Sequence, residues 1–430
     1  MRKTSISLLR GADTIGGSCI KITHGDASII LDYGMPLMAS GGAQLDSEAA
    51  KKPSISNGIL LDITSDGKPP LACIISHAHP DHYGLVDYLP ENIPVYTSEA
   101  AKVLMAVGNV FFPPALQVNR LDSCLSFKPG KAFTIGPFTI TAYLMDHSAF
   151  GACSLLVEVA GKTIFYTGDF RGHGRKTTVN DYVLNAVKQP DILLMEGTTL
   201  DDGHPATFPS EQSVEQALVE LIQATKAPIF VAGSGSNVDR IVSLYRAAKR
   251  TGRILVVDLY QMYLLEQLQV FSKGLPPHKD DHLRVFYPRS QCTTIVEKLG
   301  AEVLYRYQAR QIKRDAIDYS SDKYIFRLSN SITKSLCKNF VEQNKAPELV
   351  YSMWQGYKEQ QQSFSDIEAL VGKPWIYIHT SGHAYTKALK ELAEGLQAKK
   401  LIPIHTVKGE EFSQHFDNVY LMKNGEGLEL

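Results

Sequence analysis

Along the first 200 residues the apolar positions fall in short runs separated by Gly-rich turns, several of them alternating with polar positions, which is the signature of strands. Strands are predicted over 18–23, 28–33, 72–76, 138–145, 154–159, 163–167 and 191–195. The opening Met1-Arg2-Lys3-Thr4-Ser5-Ile6-Ser7-Leu8-Leu9-Arg10 alternates in the same way. This part of the chain therefore reads as a strand-dominated sandwich with helices outside. Between residues 36 and 70 the composition turns polar and rich in Gly, Ser, Ala and Lys, which predicts an exposed excursion with a short strand at 59–63 inside it.

From about residue 210 the pattern changes to alternating helix (211–226, 238–251, 261–271) and strand (228–232, 253–259), as expected of an α/β unit with a parallel sheet. After Pro374 a strand at 375–380, a helix at 385–400 and a strand at 401–405 look like a return to the first domain. The expected organisation is α/β throughout: residues 1–200 as the first part of one domain, 201–374 as an insertion, and 375–430 as the completing segment.

Composition narrows the class. With 430 residues and 44% hydrophobic content the chain can bury a full core. No apolar run reaches the ~18 residues that cross a bilayer, and the start lacks an apolar signal-peptide core, so a cytoplasmic protein without membrane attachment is expected. The six cysteines are scattered without a C-x-x-C pair and read as buried thiols in a reducing compartment. A net charge of −1 argues against coating nucleic acid by bulk charge but leaves a local basic groove open.

The chemistry is concentrated in His77-Ala78-His79-Pro80-Asp81-His82, directly after an apolar strand. In extended chain, residues i and i+2 point to one side, so His77 and His79 can grip one cation. A helix starting near Asp81 would turn Asp81 and His82 towards a second. Further ligands are expected at the ends of later strands, where His147, Asp169 and His405 stand. Nitrogen and carboxylate donors of this kind suit two divalent ions, with Zn²⁺ the first choice and Mn²⁺ not excluded.

These residues carry a resemblance. His77 to His82, His147 and Asp169 are similar to the metal motifs of the metallo-β-lactamase superfamily, and Leu31-Asp32-Tyr33-Gly34 looks like its Asp-containing turn. Asp169 and His405 lie 236 residues apart, a gap that must hold a domain. That narrows the resemblance to the β-CASP nucleases, which include ribonuclease J and the pre-mRNA cleavage endonucleases. It implies an αββα metallo-β-lactamase sandwich with an inserted α/β β-CASP cap. Glu196, in Leu194-Met195-Glu196-Gly197-Thr198, looks like the first motif flanking the cap; His383, in Ser381-Gly382-His383-Ala384, like the second; and His405 like the third. A histidine at the third motif implies RNA, where the DNA-repair branch tends to an apolar residue.

The resemblance implies His77, His79 and His147 on one ion, Asp81, His82 and His405 on the other, and Asp169 between them. His383, held by Glu196, would protonate the leaving 3′-oxygen; with Asp81 these are the expected catalytic residues. Ser234, Ser236, Asn237 and Arg240, at a strand-to-helix turn, resemble a phosphate-holding loop. Residues 241–340 carry 17 Lys and Arg against 9 Asp and Glu, as a basic groove wall would, and Tyr305, Tyr307, Tyr319 and Tyr324 could stack on bases.

Departures from ribonuclease J are visible. Thr406-Val407-Lys408 intervenes between His405 and Gly409-Glu410, and only 25 residues follow His405, so the C-terminal domain is expected to be missing. The expected function is a two-metal ribonuclease, exo or endo, with RNA as partner and self-association open. Two alternatives stand beside it: hydrolysis of a small ester, thioester or lactone, and a catalytically silent RNA-processing scaffold.

Overall fold

The structure, a computed structural model, describes residues 2–37, 51–64, 67–176, 178–200 and 207–430. They form two units, Met1–His204 with Gly382–Leu430, and Pro205–Ser381.

The first unit is a sandwich of two sheets. One has seven strands in the order Glu426–Glu429, Thr4–Arg10, Cys19–His24, Ala27–Leu31, Cys73–Ile74, Val95–Ser98, Leu125–Phe127. The other has six: Lys400–Ile404, Ile192–Glu196, Lys162–Tyr166, Cys153–Val159, Phe138–Leu144, Ala132–Ile135. Alternation decides which side chain goes where. Ile6, Leu8, Ile20, Ile22, Ile164, Tyr166, Ile192 and Leu194 fill the space between the sheets. Phe165, Leu193 and Met195 point the other way and pack under the helices Thr178–Ala186 and Thr386–Leu396 through Val183, Leu389, Leu392 and Leu396. The run Ile192-Leu193-Leu194-Met195 is continuously apolar because both its faces are covered.

Strand direction decides where the polar chemistry gathers. Phe138–Leu144, Lys162–Tyr166, Ile192–Glu196 and Lys400–Ile404 run the same way, since two antiparallel pairings and two parallel ones relate them. Ala27–Leu31 and Cys73–Ile74 are likewise parallel neighbours in the other sheet. Their carboxyl ends present Asp146-His147, Asp169, Glu196, His405, Asp32 and the His77 to His82 segment. Open α/β sheets bind ligands at such an edge.

The second unit is a seven-stranded, wholly parallel sheet in the order Gln311–Ile312, Leu283–Phe286, Ile254–Asp258, Tyr324–Arg327, Ile229–Gly233, Glu348–Ser352, Trp375–Tyr377. Phe230, Val256, Phe326 and Tyr351 pack one of its faces against Leu336, Phe340, Phe364 and Ile367 of the helices Asn330–Glu342 and Gln362–Val371.

Two expectations need correction. Trp375–Tyr377 pairs in register with Leu349 to Tyr351, so residues 375–381 belong to the inserted unit; an apolar β-rich run suits either sheet, and the sequence alone does not say which. No strand forms at 59–63. That stretch is irregular, with Ile59 and Ile63 buried and its carbonyls accepting from side chains of the body: Arg10 to Gly58 and Ile59, Lys21 to Ile63 and the Tyr33 hydroxyl to Leu61. The rest of the expected excursion is exposed over much of 51–57, while 38–50 and 65–66 lie outside the described residues.

Candidate metal centre

Extended backbone at His79 (φ −108°, ψ 140°) gives way to the short helix Pro80–Tyr83, with Pro80 opening it, where a missing N–H costs nothing. Asp81 and His82 thus turn off the line of His77 and His79, as the spacing suggested. Three imidazole nitrogens converge: His79 Nδ1 lies 3.1 Å from His77 Nε2 and 3.1 Å from His147 Nε2. With Asp169 they form one group of donors. Asp81, His82, Asp169 and His405 form a second, all donor atoms within 4.8 Å of one another. Here His405 Nε2 is 3.2 Å from Asp81 Oδ2, and His82 Nε2 is 3.2 Å from Asp169 Oδ2. Asp169 Oδ2 also lies 3.7 Å from His77 Nε2, so one carboxylate serves both groups.

The outward-facing nitrogens fix which inner atoms are bare. His147 Nδ1 donates to the Gly382 carbonyl at 2.6 Å, and His82 Nδ1 to the Asp32 carboxylate at 2.7 Å. Neither acceptor can donate in return, so Nδ1 carries a proton in both rings, and the neutral form of either turns a bare Nε2 inward. Thr198 does the same for His405. Its hydroxyl gives its proton to the His405 carbonyl (3.2 Å) and accepts from His405 Nδ1 (2.8 Å).

Electrostatics divide the rings: burial opposes charge on His82, but Asp169 and then Asp32 prevail and raise it well above the usual imidazole range. Burial pushes His77 and His147 well below the usual imidazole range and His79 down to about 4, so these rings are neutral at pH 7. Burial works against charge on Asp169, yet His405 and His82 outweigh it and hold the carboxyl well below the usual range. Asp81 is held at about 2 in the same way, burial opposing and His82 and His405 prevailing. His82 Nε2 and both oxygens of Asp169 are buried without a hydrogen-bond partner. Converging lone pairs, ionised carboxylates and orphaned buried acceptors are what a pair of divalent cations would satisfy, and the donor set fits them.

His383 stands beside both groups and is less buried than the rings around it, at 23% side-chain exposure. Its Nδ1 is 3.1 Å from Glu196 Oε2 and 3.7 Å from Asp169 Oδ2, and its ring stacks at 5.6 Å on that of His405. Burial opposes its charge, but Glu196 and then Asp169 prevail and raise it to about 9. Glu196 is itself buried and accepts from the backbone N–H groups of Phe170 (2.9 Å) and Thr198 (3.3 Å).

Sequence reasoning singled out Asp32 only as part of a turn and assigned no role to the residues that support the ligands. Asp32 takes three further hydrogen bonds, from Ser76 N and Ser76 Oγ at 2.7 Å each and from the Tyr166 hydroxyl. It sits in left-handed backbone (φ +58°), as does His405 (φ +52°), a cost that local bonds must offset. Gly34 in that turn is required by clearance, because a Cβ there would run into the Asp81 carbonyl. Asp146 is buried against Arg171 and accepts from Gly174 N at 2.7 Å, which anchors the strand end that carries His147. The one signal that could have found them is the general requirement that a metal-ligating histidine has a partner for its second nitrogen.

In the second unit the expected phosphate loop divides. Ser234 and Ser236 form an exposed hydroxyl pair at 2.9 Å. Asn237 caps the helix Val238–Arg250 by accepting from Arg240 N. Arg240 is corrected from a substrate contact to a structural residue. It is 2% exposed, and its guanidinium is taken up by Glu211 at 3.0 Å and by Ser352. His379 lies 3.4 Å from the same guanidinium. Of the four tyrosines, Tyr307 and Tyr324 are buried, Tyr319 donates its hydroxyl to the Arg314 carbonyl, and Tyr305 is exposed at 69%.

Known proteins resemble this chain in sequence and in fold. Residues 62–232 match the family model described as the beta-lactamase superfamily domain. The chain is 24% identical over 382 residues to a protein named Ribonuclease J from Sinorhizobium meliloti, covering 84% of this chain and 63% of that one. It is 23% identical over 463 aligned positions to a Ribonuclease J from Helicobacter pylori, covering 99% and 60%. The chain thus spans less than two thirds of the length of these curated relatives. Among solved structures, a protein of unknown function from Enterococcus faecalis V583 is covered fully in both directions, at 22% identity and a TM-score of 0.78, which shows a shared fold.

Proposed function

We propose that this chain, which belongs to the metallo-β-lactamase superfamily and to the ribonuclease J kind within its β-CASP branch, is a two-metal phosphodiester hydrolase that cuts RNA. The observation that carries the reading is His383, an imidazole raised to about 9 by Glu196 and Asp169 at the side of two donor sets that share Asp169. Hydrolysis of a small ester needs no such third party.

His77, His79 and His147 are assigned to one ion, Asp81, His82 and His405 to the other, and Asp169 to both. Zn²⁺ suits the imidazole-rich first set, and Mn²⁺ is compatible with the carboxylates of the second. When bound, the ions lower the pKa of water from about 15.7 towards about 7 and neutralise phosphate charge.

The remaining work belongs to side chains. The Glu196 carboxylate accepts from His383 Nδ1 and keeps the ring charged, which leaves Nε2–H to protonate the departing 3′-oxygen. Thr198 joins this pair to the second ligand set by bonding Glu196 through its N–H and His405 through its hydroxyl.

The names of the relatives favour RNA, and the cation-rich stretch 241–340 favours a polyanion over a neutral ester. No helix among the described residues is long and apolar enough to cross a membrane.

Bound metal is to be measured and turnover compared, wild type against Asp81→Ala, on end-labelled RNA with a 5′-monophosphate, on single-stranded DNA and on a thioester. RNA cleavage lost in the variant is expected. Metal-replete protein that spares every RNA and hydrolyses the thioester would overturn the reading. His383→Ala should lose turnover and keep both metals; metal loss as complete as in Asp81→Ala would show that the roles are misassigned.

A further inference from the structure

Three adjacent strands of the inserted unit, Tyr324–Arg327, Ile229–Gly233 and Glu348–Ser352, end side by side, with Gly233 level with Ser352. Beyond the middle one stand the exposed hydroxyls of Ser234 and Ser236. Beyond the third runs Met353-Trp354-Gln355-Gly356-Tyr357. The chain has two tryptophans: Trp375 is buried in the core at 8% exposure, whereas Trp354 is 55% exposed and Tyr357, meeting it edge to face at 5.3 Å, is 47% exposed.

This pair is built, not left over. The Tyr351 hydroxyl donates to the Trp354 carbonyl at 2.9 Å, and Tyr357 N donates to the same oxygen at 3.2 Å, so the turn carrying the indole is fixed from both sides. Gly356 lies directly under the indole, where a Cβ would collide with the six-membered ring. One side of the indole is thus packed on backbone and its edge on Tyr357, and more than half of its surface is left to solvent. Holding a large apolar ring rigid in water gains no burial on folding, and the arrangement suits a flat π-partner whose stacking entropy is already partly spent.

We propose that Trp354, propped by Gly356 and Tyr357, is a stacking platform for a base of single-stranded RNA, with the neighbouring Ser234 and Ser236 hydroxyls meeting its sugar-phosphate backbone. A nucleobase is favoured over a protein partner because hydroxyl donors and an aromatic face lie at one sheet edge, the pairing that single-stranded nucleic acid presents in return. The proposal rests on the ribonuclease reading and names a contact within it.

The test uses the full metal-loaded chain. Because Trp375 is buried, emission that responds to added RNA reports on Trp354. Addition of a homopolymeric oligonucleotide to the His383→Ala protein should quench it saturably. In the protein with His383 intact, Trp354→Ala should raise KM for a single-stranded RNA about tenfold, the scale of one stacked base, with kcat within about twofold. Trp354→Phe should recover most of the loss. RNA cleavage with unchanged KM in Trp354→Ala, or saturation by RNA without any change in emission, would overturn the platform while leaving the ribonuclease reading intact. A change of oligomeric state on Trp354→Ala with KM unmoved would also overturn it, in favour of a contact between copies. Absence of RNA cleavage by every form would instead sink the reading on which it rests.

Discussion

Both units place their polar chemistry at the carboxyl ends of parallel strands, and they do opposite things with it. In the first unit His77, His82, His147, Asp169 and His405 are at most 2% exposed, and inner atoms of His82 and Asp169 have no hydrogen-bond partner among the described residues. In the second, the buried Arg240 is matched by Glu211 and Ser352, and what faces solvent is a pair of hydroxyls and an aromatic ring. A buried edge with open valences calls for a cation. A satisfied edge with exposed soft groups can only bind. Polar residues at a strand end look alike in sequence, and the fate of their hydrogen bonds tells them apart.

The comparison breaks most plainly at Asp169. Asp169→Ala removes the carboxylate common to both donor sets, and turnover should fall roughly a thousandfold or more with loss of both ions by elemental analysis. Retention of two metals would show that the sets are independent. Arg240→Ala tests the satisfied edge: it strands the buried Glu211 carboxylate and should cost about 3–5 kcal/mol in denaturant unfolding of the second unit, while metal content stays the same. An unaltered unfolding curve would mean that this pair is not desolvated.

Thr198→Val keeps the shape and removes the hydroxyl between Glu196 and His405. Affinity at the second ion should drop about 10–100-fold by competition with a chelator, and Thr198→Ser should restore it. A purely packing role would leave the Val form unchanged. The smallest effect is expected at Ser236→Ala, where stability should move by no more than about 0.5 kcal/mol, since both hydroxyls of that pair can turn to water. A larger loss would place the loop among the self-supporting structures.

How much of this was legible in sequence depends on where each residue's partners lie. The spacing of His77, His79, Asp81 and His82 is local, and the structure brings them together with His147, Asp169 and His405, each at the end of a strand visible as an apolar run. Asp32, Thr198 and the Gly382 carbonyl were not legible as supports, because the atoms they hold are 50, 207 and 235 positions away and only the strand order makes them neighbours. Arg240 failed for another reason. A loop arginine in an anion-friendly setting and a buried arginine with a carboxylate partner have the same local sequence, and Glu211 is 29 residues off.

The donor sets also lie on both sides of an interruption. His77, His79, Asp81, His82, His147 and Asp169 precede the second unit, whereas Gly382, His383 and His405 come after it. A chain emerging from the ribosome therefore completes the first set of imidazoles long before it has the ring that closes the second, the carbonyl that orients His147, or the imidazole paired with Glu196. A cation held at the second position would link residues 81 and 405 across the whole inserted unit and so close a very long loop. The second donor set is therefore complete only once residue 405 has been made, after the whole inserted unit.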